Sequence, residues 1–88
     1  MYQQIDFTKD FVKQLDKLDK AKQKKFQNQL RVFEVNPFAP EMRNHAPKGK
    51  YIGFRSIDIA WDLRALYYIK DDVVVIFSFT GSHSQLYK

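Results

Sequence analysis

All three prolines of this 88-residue chain fall between residues 36 and 49, and the hydrophobic period changes across them. Upstream the apolar residues recur at helical spacing. Phe11, Leu15 and Leu18 stand four and three apart, which predicts an amphipathic helix over 9–18. Phe26, Leu30 and Phe33 repeat that spacing in a second helix. Thr8 and Asp19 precede the two helices, and their side-chain oxygens suit the unpaired N–H groups of a first turn. Asn36-Pro37 ends the second helix, because a residue before proline avoids the α region. The two helices form an antiparallel hairpin with a very short connection.

Downstream of the prolines the period is two. Tyr51 to Ile59 reads as a strand, and so does Leu63 to Lys70. In the latter, Leu63, Ala65, Tyr67 and Ile69 share one face, and Asp62, Arg64, Leu66 and Tyr68 the other. Asp71-Asp72 makes a turn. Val73 to Thr80 is nearly continuous in apolar residues, the pattern of a central strand. A short alternating run at 2–6 adds a first strand. Residues 36–49 are expected to be an ordered loop, since Phe38 and Met42 give it side chains to bury.

The order β-α-α-β-β-β specifies an α+β fold. A small antiparallel sheet of about four strands carries the helix hairpin on one face and leaves the other face for function. Residues 1–88 leave room for one core only, so a single domain is expected. The chain has no cysteine, which excludes disulfides and zinc–thiolate sites. No apolar run approaches the ~18 residues of a membrane span, so a cytoplasmic protein without membrane contact is expected. The net charge is +5 and is unevenly spread. Residues 20–50 hold eight Lys/Arg against two acids, Glu34 and Glu41. Such a field suits an anionic partner, although a charge run is also what an ordinary solvated helix face looks like.

Asn44 to Arg64 concentrates ionisable groups beyond what a strand pair needs. It holds His45, Lys48, Lys50, Arg55, Asp58, Asp62 and Arg64. His83 adds a second imidazole near the C-terminus. Imidazole exchanges protons near neutral pH, carboxylates act as bases, and guanidinium groups clamp phosphates in a bidentate way. Asp58 and Asp62 lie four apart across the hairpin tip at Ala60-Trp61, a place where acids are also common without any function. Trp61 and Tyr87 offer aromatic planes for unpaired bases. No HxH or HExxH spacing supports a metal site, and no cofactor is indicated.

These residues occur in three strings. They are NPF-x-P-E-x-R-x-H-x-x-KGK, RSIDI-x-x-DLRALYY and, at the C-terminus, GSHSQLY. In this order they resemble the YafQ-like branch of the RelE/ParE toxin superfamily, small toxins of bacterial type II toxin–antitoxin modules. The resemblance implies a microbial-RNase-like fold, metal-independent cleavage of mRNA on the ribosome, and inhibition by a cognate antitoxin. It assigns catalytic places to His83, Asp62 and His45, an aromatic place to Tyr87 and a phosphate-stabilising place to Arg64. Where the founding member has a strand histidine this chain has Asp58, so the general base is Asp62 or Asp58. Lys48, Lys50 and Arg55, with Lys22, Lys24 and Lys25 of the second helix, complete the expected RNA contacts. The rival reading is a ParE-like toxin that binds and inhibits DNA gyrase without cutting nucleic acid.

Overall fold

A computed structural model describes residues 4–87. Its elements are β1 (Gln4–Phe7), α1 (Lys9–Asp16), α2 (Lys20–Val35), β2 (Arg55–Ala60), β3 (Leu63–Lys70), β4 (Val74–Gly81) and α3 (His83–Leu86). Two single 3-10 turns, Pro40–Met42 and Gly49–Tyr51, interrupt the loop between α2 and β2. Tyr2 and Gln3, expected at the start of the first strand, lie outside the described residues. No helix among the described residues is long and apolar enough to cross a membrane.

Both expected caps form. Thr8 Oγ1 accepts from the Phe11 N–H at 3.1 Å, and Asp19 Oδ1 accepts from the Lys22 N–H at 2.9 Å. Thr8 also donates its own N–H to the Phe77 carbonyl and its hydroxyl to the Ser78 carbonyl, so the start of α1 is tied to β4. The first helix stops at Asp16, two residues earlier than its apolar spacing suggests. The Gln23 amide then donates to the carbonyls of Leu15 and Leu18, both at 3.1 Å, and fastens the short connection. The Leu15 carbonyl also accepts from the Leu18 N–H at 3.0 Å, so a backbone donor and a side-chain amide share the acceptor that the end of α1 leaves open.

The sheet runs β1-β4-β3-β2. β2, β3 and β4 form the expected antiparallel meander, but β1 pairs with β4 in parallel, so the sheet is mixed. Hairpin turns force antiparallel neighbours, whereas the long connection from β1 through both helices imposes no such direction. On the helix side Phe77 is the hub of the core. Its ring lies 5.4–5.9 Å from those of Tyr67, Phe33, Phe11 and Phe26. Met42, Ile57, Ile59, Leu63, Ala65 and Val75 fill the space around them.

The run from Tyr51 to Ile59 is only partly strand. Pairing begins at Arg55, and residues 49–51 form a helical turn instead. Gly49 and Gly53 have φ of 72° and 92°, conformations that an extended strand does not contain. Tyr51 thereby turns inward on the side of the sheet away from the helices. There it packs with Leu66 and Leu86, and Phe54, Phe79 and Tyr87 border the cluster. Part of the face expected to be free is therefore covered by a second, smaller aromatic core. The 36–49 loop is ordered by other means. Met42 is buried, while Phe38 stays exposed under the Arg55 guanidinium, 5.3 Å from its ring. The Asn44 amide donates to the Tyr67 hydroxyl at 2.7 Å and to the Pro37 carbonyl at 2.9 Å.

Candidate active site

The uncovered part of the non-helical face lies beside the β2–β3 turn. Ile57 and Ile59 point into the helix-side core, so the pleat sends Asp58 to the opposite face. Arg64 stands directly across from Asp58 in the β2–β3 ladder. Only Trp61 and Asp62 connect the strands, and Asp62 adopts the left-handed conformation, φ 51°, which aspartate tolerates better than most residues.

A third element closes the site. Ser82 caps α3: its hydroxyl accepts from the Gln85 N–H, and the Gln85 side chain accepts from the Ser82 N–H. Such reciprocal bonding stabilises a helix of only four residues. Asp62 Oδ1 accepts from the His83 backbone N–H at 3.1 Å, which fastens α3 to the hairpin tip. From the other side, the Tyr51 hydroxyl donates to the Leu86 carbonyl at 2.6 Å. The His83 ring is stacked on Tyr87, with centroids 4.8 Å apart and planes 28° apart. Tyr87 in turn meets the Tyr51 ring edge-on at 5.2 Å.

Arg43, Asp58, Ala60, Trp61, Asp62, Arg64, His83 and Ser84 together line an open cleft of about 470 Å³. Asp58 lies between two guanidinium groups. Arg43 Nε is 3.5 Å from its Oδ2, and Arg64 Nε is 3.7 Å from its Oδ1. The cleft therefore combines an imidazole, two carboxylates and two cations, a set able to move protons and hold an anion.

Four expected site residues, His83, Asp62, Asp58 and Arg64, share this cleft. His45 does not line it. Its backbone pairs with Ser56, and its Nδ1 lies 2.8 Å from the Arg43 carbonyl oxygen, so it braces the turn that carries Arg43. Tyr87 reaches the cleft through the His83 ring. Lys48 precedes the second 3-10 turn and Lys50 lies within it, both outside the cleft, with Lys50 Nζ 5.1 Å from the Tyr51 ring centroid. Arg55 Nε donates to the Asn44 side chain at 2.6 Å, which makes it a fastener of the loop. Lys22, Lys24 and Lys25 are exposed on α2, on the other side of the sheet from the cleft. Arg43 was not singled out from the sequence. It stands at the end of the P-E-x-R string, but only its left-handed backbone, φ 49°, turns it toward a partner 15 residues away.

The sequence profile of YafQ, described as the bacterial toxin of a type II toxin–antitoxin system, matches residues 3–88. The chain belongs to the YafQ toxin family. Escherichia coli YafQ has the same fold, with a TM-score of 0.80 at 19% identity over 96% of this chain and 97% of that one. YafQ in the E. coli DinJ–YafQ complex matches with a TM-score of 0.70 at 21% identity, covering 96% and 97%. A copper-bound mutant toxin from Helicobacter pylori is 30% identical, with a TM-score of 0.69 and coverage of 96% and 98%. A search of curated proteins gives no significant match. Among the described residues of this YafQ-family toxin, no group of three or more His, Cys, Asp or Glu side chains is arranged to hold a metal ion.

Proposed function

We propose that this toxin is a metal-independent endoribonuclease that cleaves mRNA on the ribosome by attack of a ribose 2′-OH. The observation that supports it best is the convergence of His83, Asp62, Asp58, Arg43 and Arg64 on one cleft. Asp62 commits one carboxylate oxygen to the His83 N–H and keeps the other for a proton. Each oxygen of Asp58 instead faces a guanidinium. Asp62 is thus the better placed base, and Asp58 orients the two arginines. A metal ion at Asp58 would compete with both of them.

The two ion pairs are longer than the roughly 2.7–2.9 Å of a tight charged hydrogen bond, and each is measured at Nε. The terminal nitrogens of Arg43 and Arg64 therefore remain for a phosphate. In the reaction Asp62 takes the 2′-OH proton, and the 2′-oxygen forms a bond to phosphorus. The arginines stabilise the pentacoordinate phosphate, and His83 protonates the 5′-oxygen as its bond breaks. The products are a 2′,3′-cyclic phosphate and a free 5′-OH. A cognate antitoxin inhibits the toxin in the cytoplasm, as the DinJ–YafQ pairing suggests.

The decisive experiment supplies translated message, with and without ribosomes, to the purified protein. The protein is first stripped of bound metal with EDTA and then freed of the chelator, so that the Mg²⁺ holding the ribosome together is untouched. Cleavage should require ribosomes and be unchanged by the stripping, and a single 2′-deoxy sugar at the cut site should abolish it. His83→Ala and Asp62→Asn should each lose about 10²–10⁴-fold in rate. A substrate with sulfur as the leaving atom needs no protonation, so it should rescue His83→Ala and not Asp62→Asn. Growth arrest with gyrase-linked DNA breaks and intact message would replace this reading with the ParE-like one.

A further inference from the structure

We infer that Trp61 is a nucleobase-stacking subsite, the place where the cleft grips an unpaired base next to the phosphate being cut. The inference rests on the ribonuclease reading and adds a specificity element to it. Trp61 is 91% exposed, so almost none of its surface is used in packing. Its turn does not require it either. Only Asp62 of the two turn residues has a positive φ, so position 61 accepts nearly any side chain. Yet the backbone beneath the indole is fixed. The turn joins strands paired up to Ala60 and Leu63, and the Asp62 carboxylate fastens it to α3. A large flat ring is thus held at the rim of the cleft with its faces open.

The other aromatic residue near His83 is already committed. Tyr87 stacks on that ring and meets Tyr51 edge-on. Trp61 is then the ring in the cleft lining left to receive a base. The surroundings distinguish a base from an apolar protein segment. Protein hot spots sit in well-packed pockets from which water is excluded, whereas this cleft is open and mostly polar. Apart from Ala60, the residues sharing the cleft with Trp61 are two arginines, two aspartates, a histidine and a serine. A π face beside guanidinium groups matches a nucleotide, whose base stacks while its phosphate pairs with charge.

Trp61 is the only tryptophan of the chain, so its fluorescence reports this site alone. The probe is a pool of single-stranded hexanucleotides with 2′-fluoro sugars, which lack the nucleophile and stay intact, each carrying an end label for anisotropy. At low salt the pool should quench Trp61 emission to saturation. Trp61→Ala should bind about 5- to 150-fold more weakly, the range expected for one stacked base. Trp61→Tyr should retain most of the affinity, and abasic oligonucleotides should bind without quenching. The subsite is overturned if the pool binds without quenching, if it fails to bind at millimolar concentration, or if Trp61→Ala binds as tightly as the parent. It is equally overturned if the antitoxin shields the indole and RNA does not. Message cleavage with unaltered binding by Trp61→Ala would remove the subsite and leave the nuclease. Quenching without any cleavage would do the reverse.

Discussion

The two faces of the sheet use the same strands for different ends. On the helix side, β1, both long helices, β3 and β4 all send rings or aliphatic side chains to the surroundings of Phe77. On the cleft side, three buried residues, Tyr51, Leu66 and Leu86, support a helix of four residues. Strand β3 shows the contrast within a few positions. Ala65 and Tyr67 join the large core, while Leu66 joins the small cluster and Arg64 faces the cleft. Burial of apolar area supplies most of a small domain's stability, so the helix side should carry the fold. The cleft side contributes little to that sum but decides where His83 stands. The difference teaches that stability and activity should respond to different substitutions, and each prediction below tests that separation.

The largest effect on stability belongs to Phe77. It is fully buried, and its ring meets four other buried rings. Phe77→Ala removes that payload and leaves a cavity, at a cost of about 3–5 kcal/mol. In a domain of this size each kcal/mol shifts Tm by roughly 4–8 °C, so thermal unfolding should move down by well over ten degrees or be lost altogether. Calorimetry measures it. A shift of only a few degrees would mean that the helix side is not the principal core.

The second prediction crosses to the smaller cluster. Tyr51→Phe keeps the ring and deletes the hydroxyl that donates to the Leu86 carbonyl. The lost bond should cost about 1 kcal/mol, a drop in Tm of a few degrees. Activity should fall more than this suggests. Tyr51 and Tyr87 set the pose of His83, so kcat should decline while KM holds. The sulfur-leaving substrate should restore much of the loss, because it needs no proton from His83. A loss of kcat that this substrate does not restore would show that Tyr51 acts on the site by another route. An unchanged kcat at lowered Tm would make the cluster purely structural.

How legible was this contrast in the sequence? The helix side was readable almost throughout. Capping depends on residue type at one position, and Thr8 and Asp19 both cap. Amphipathic spacing depends on local geometry, and Phe26 and Phe33 are buried as their spacing requires. The parallel direction of β1 was not readable, because alternation over a few residues carries no direction. The cleft side depends on contacts between distant residues. Tyr51 sits in a run of strand-forming residues, and only the positive φ of Gly49 and Gly53 turns it into the small cluster. Arg43 reaches Asp58 only because its own backbone is left-handed. Imidazole chemistry and the family resemblance both single out His45, and neither says which carbonyl its Nδ1 meets. Residue type located the groups capable of proton transfer, and backbone turns decided which of them share a cleft.

The smallest effect on stability concerns the outer surface of α2, which belongs to neither core. Lys22, Lys24 and Lys25 are exposed, and no ion pair involving them is found among the described residues. Replacing all three by Gln keeps helix propensity nearly constant, so each change should stay within about 0.5 kcal/mol. Binding should respond instead. If α2 grips ribosomal RNA, three lost phosphate contacts should reduce the log–log salt slope of ribosome association by roughly two to three units. Binding of a short RNA in the absence of the ribosome should be unaffected, because these lysines lie across the sheet from the cleft. That outcome would give the helix side a second role, in docking, while the chemistry stays on the other face. An unchanged salt slope would leave the three lysines as a solvated helix surface and the ribosome contact to the cationic loop around Lys48 and Lys50. Weaker binding of the short RNA would break the separation itself, since the cleft would then depend on charges held behind the sheet.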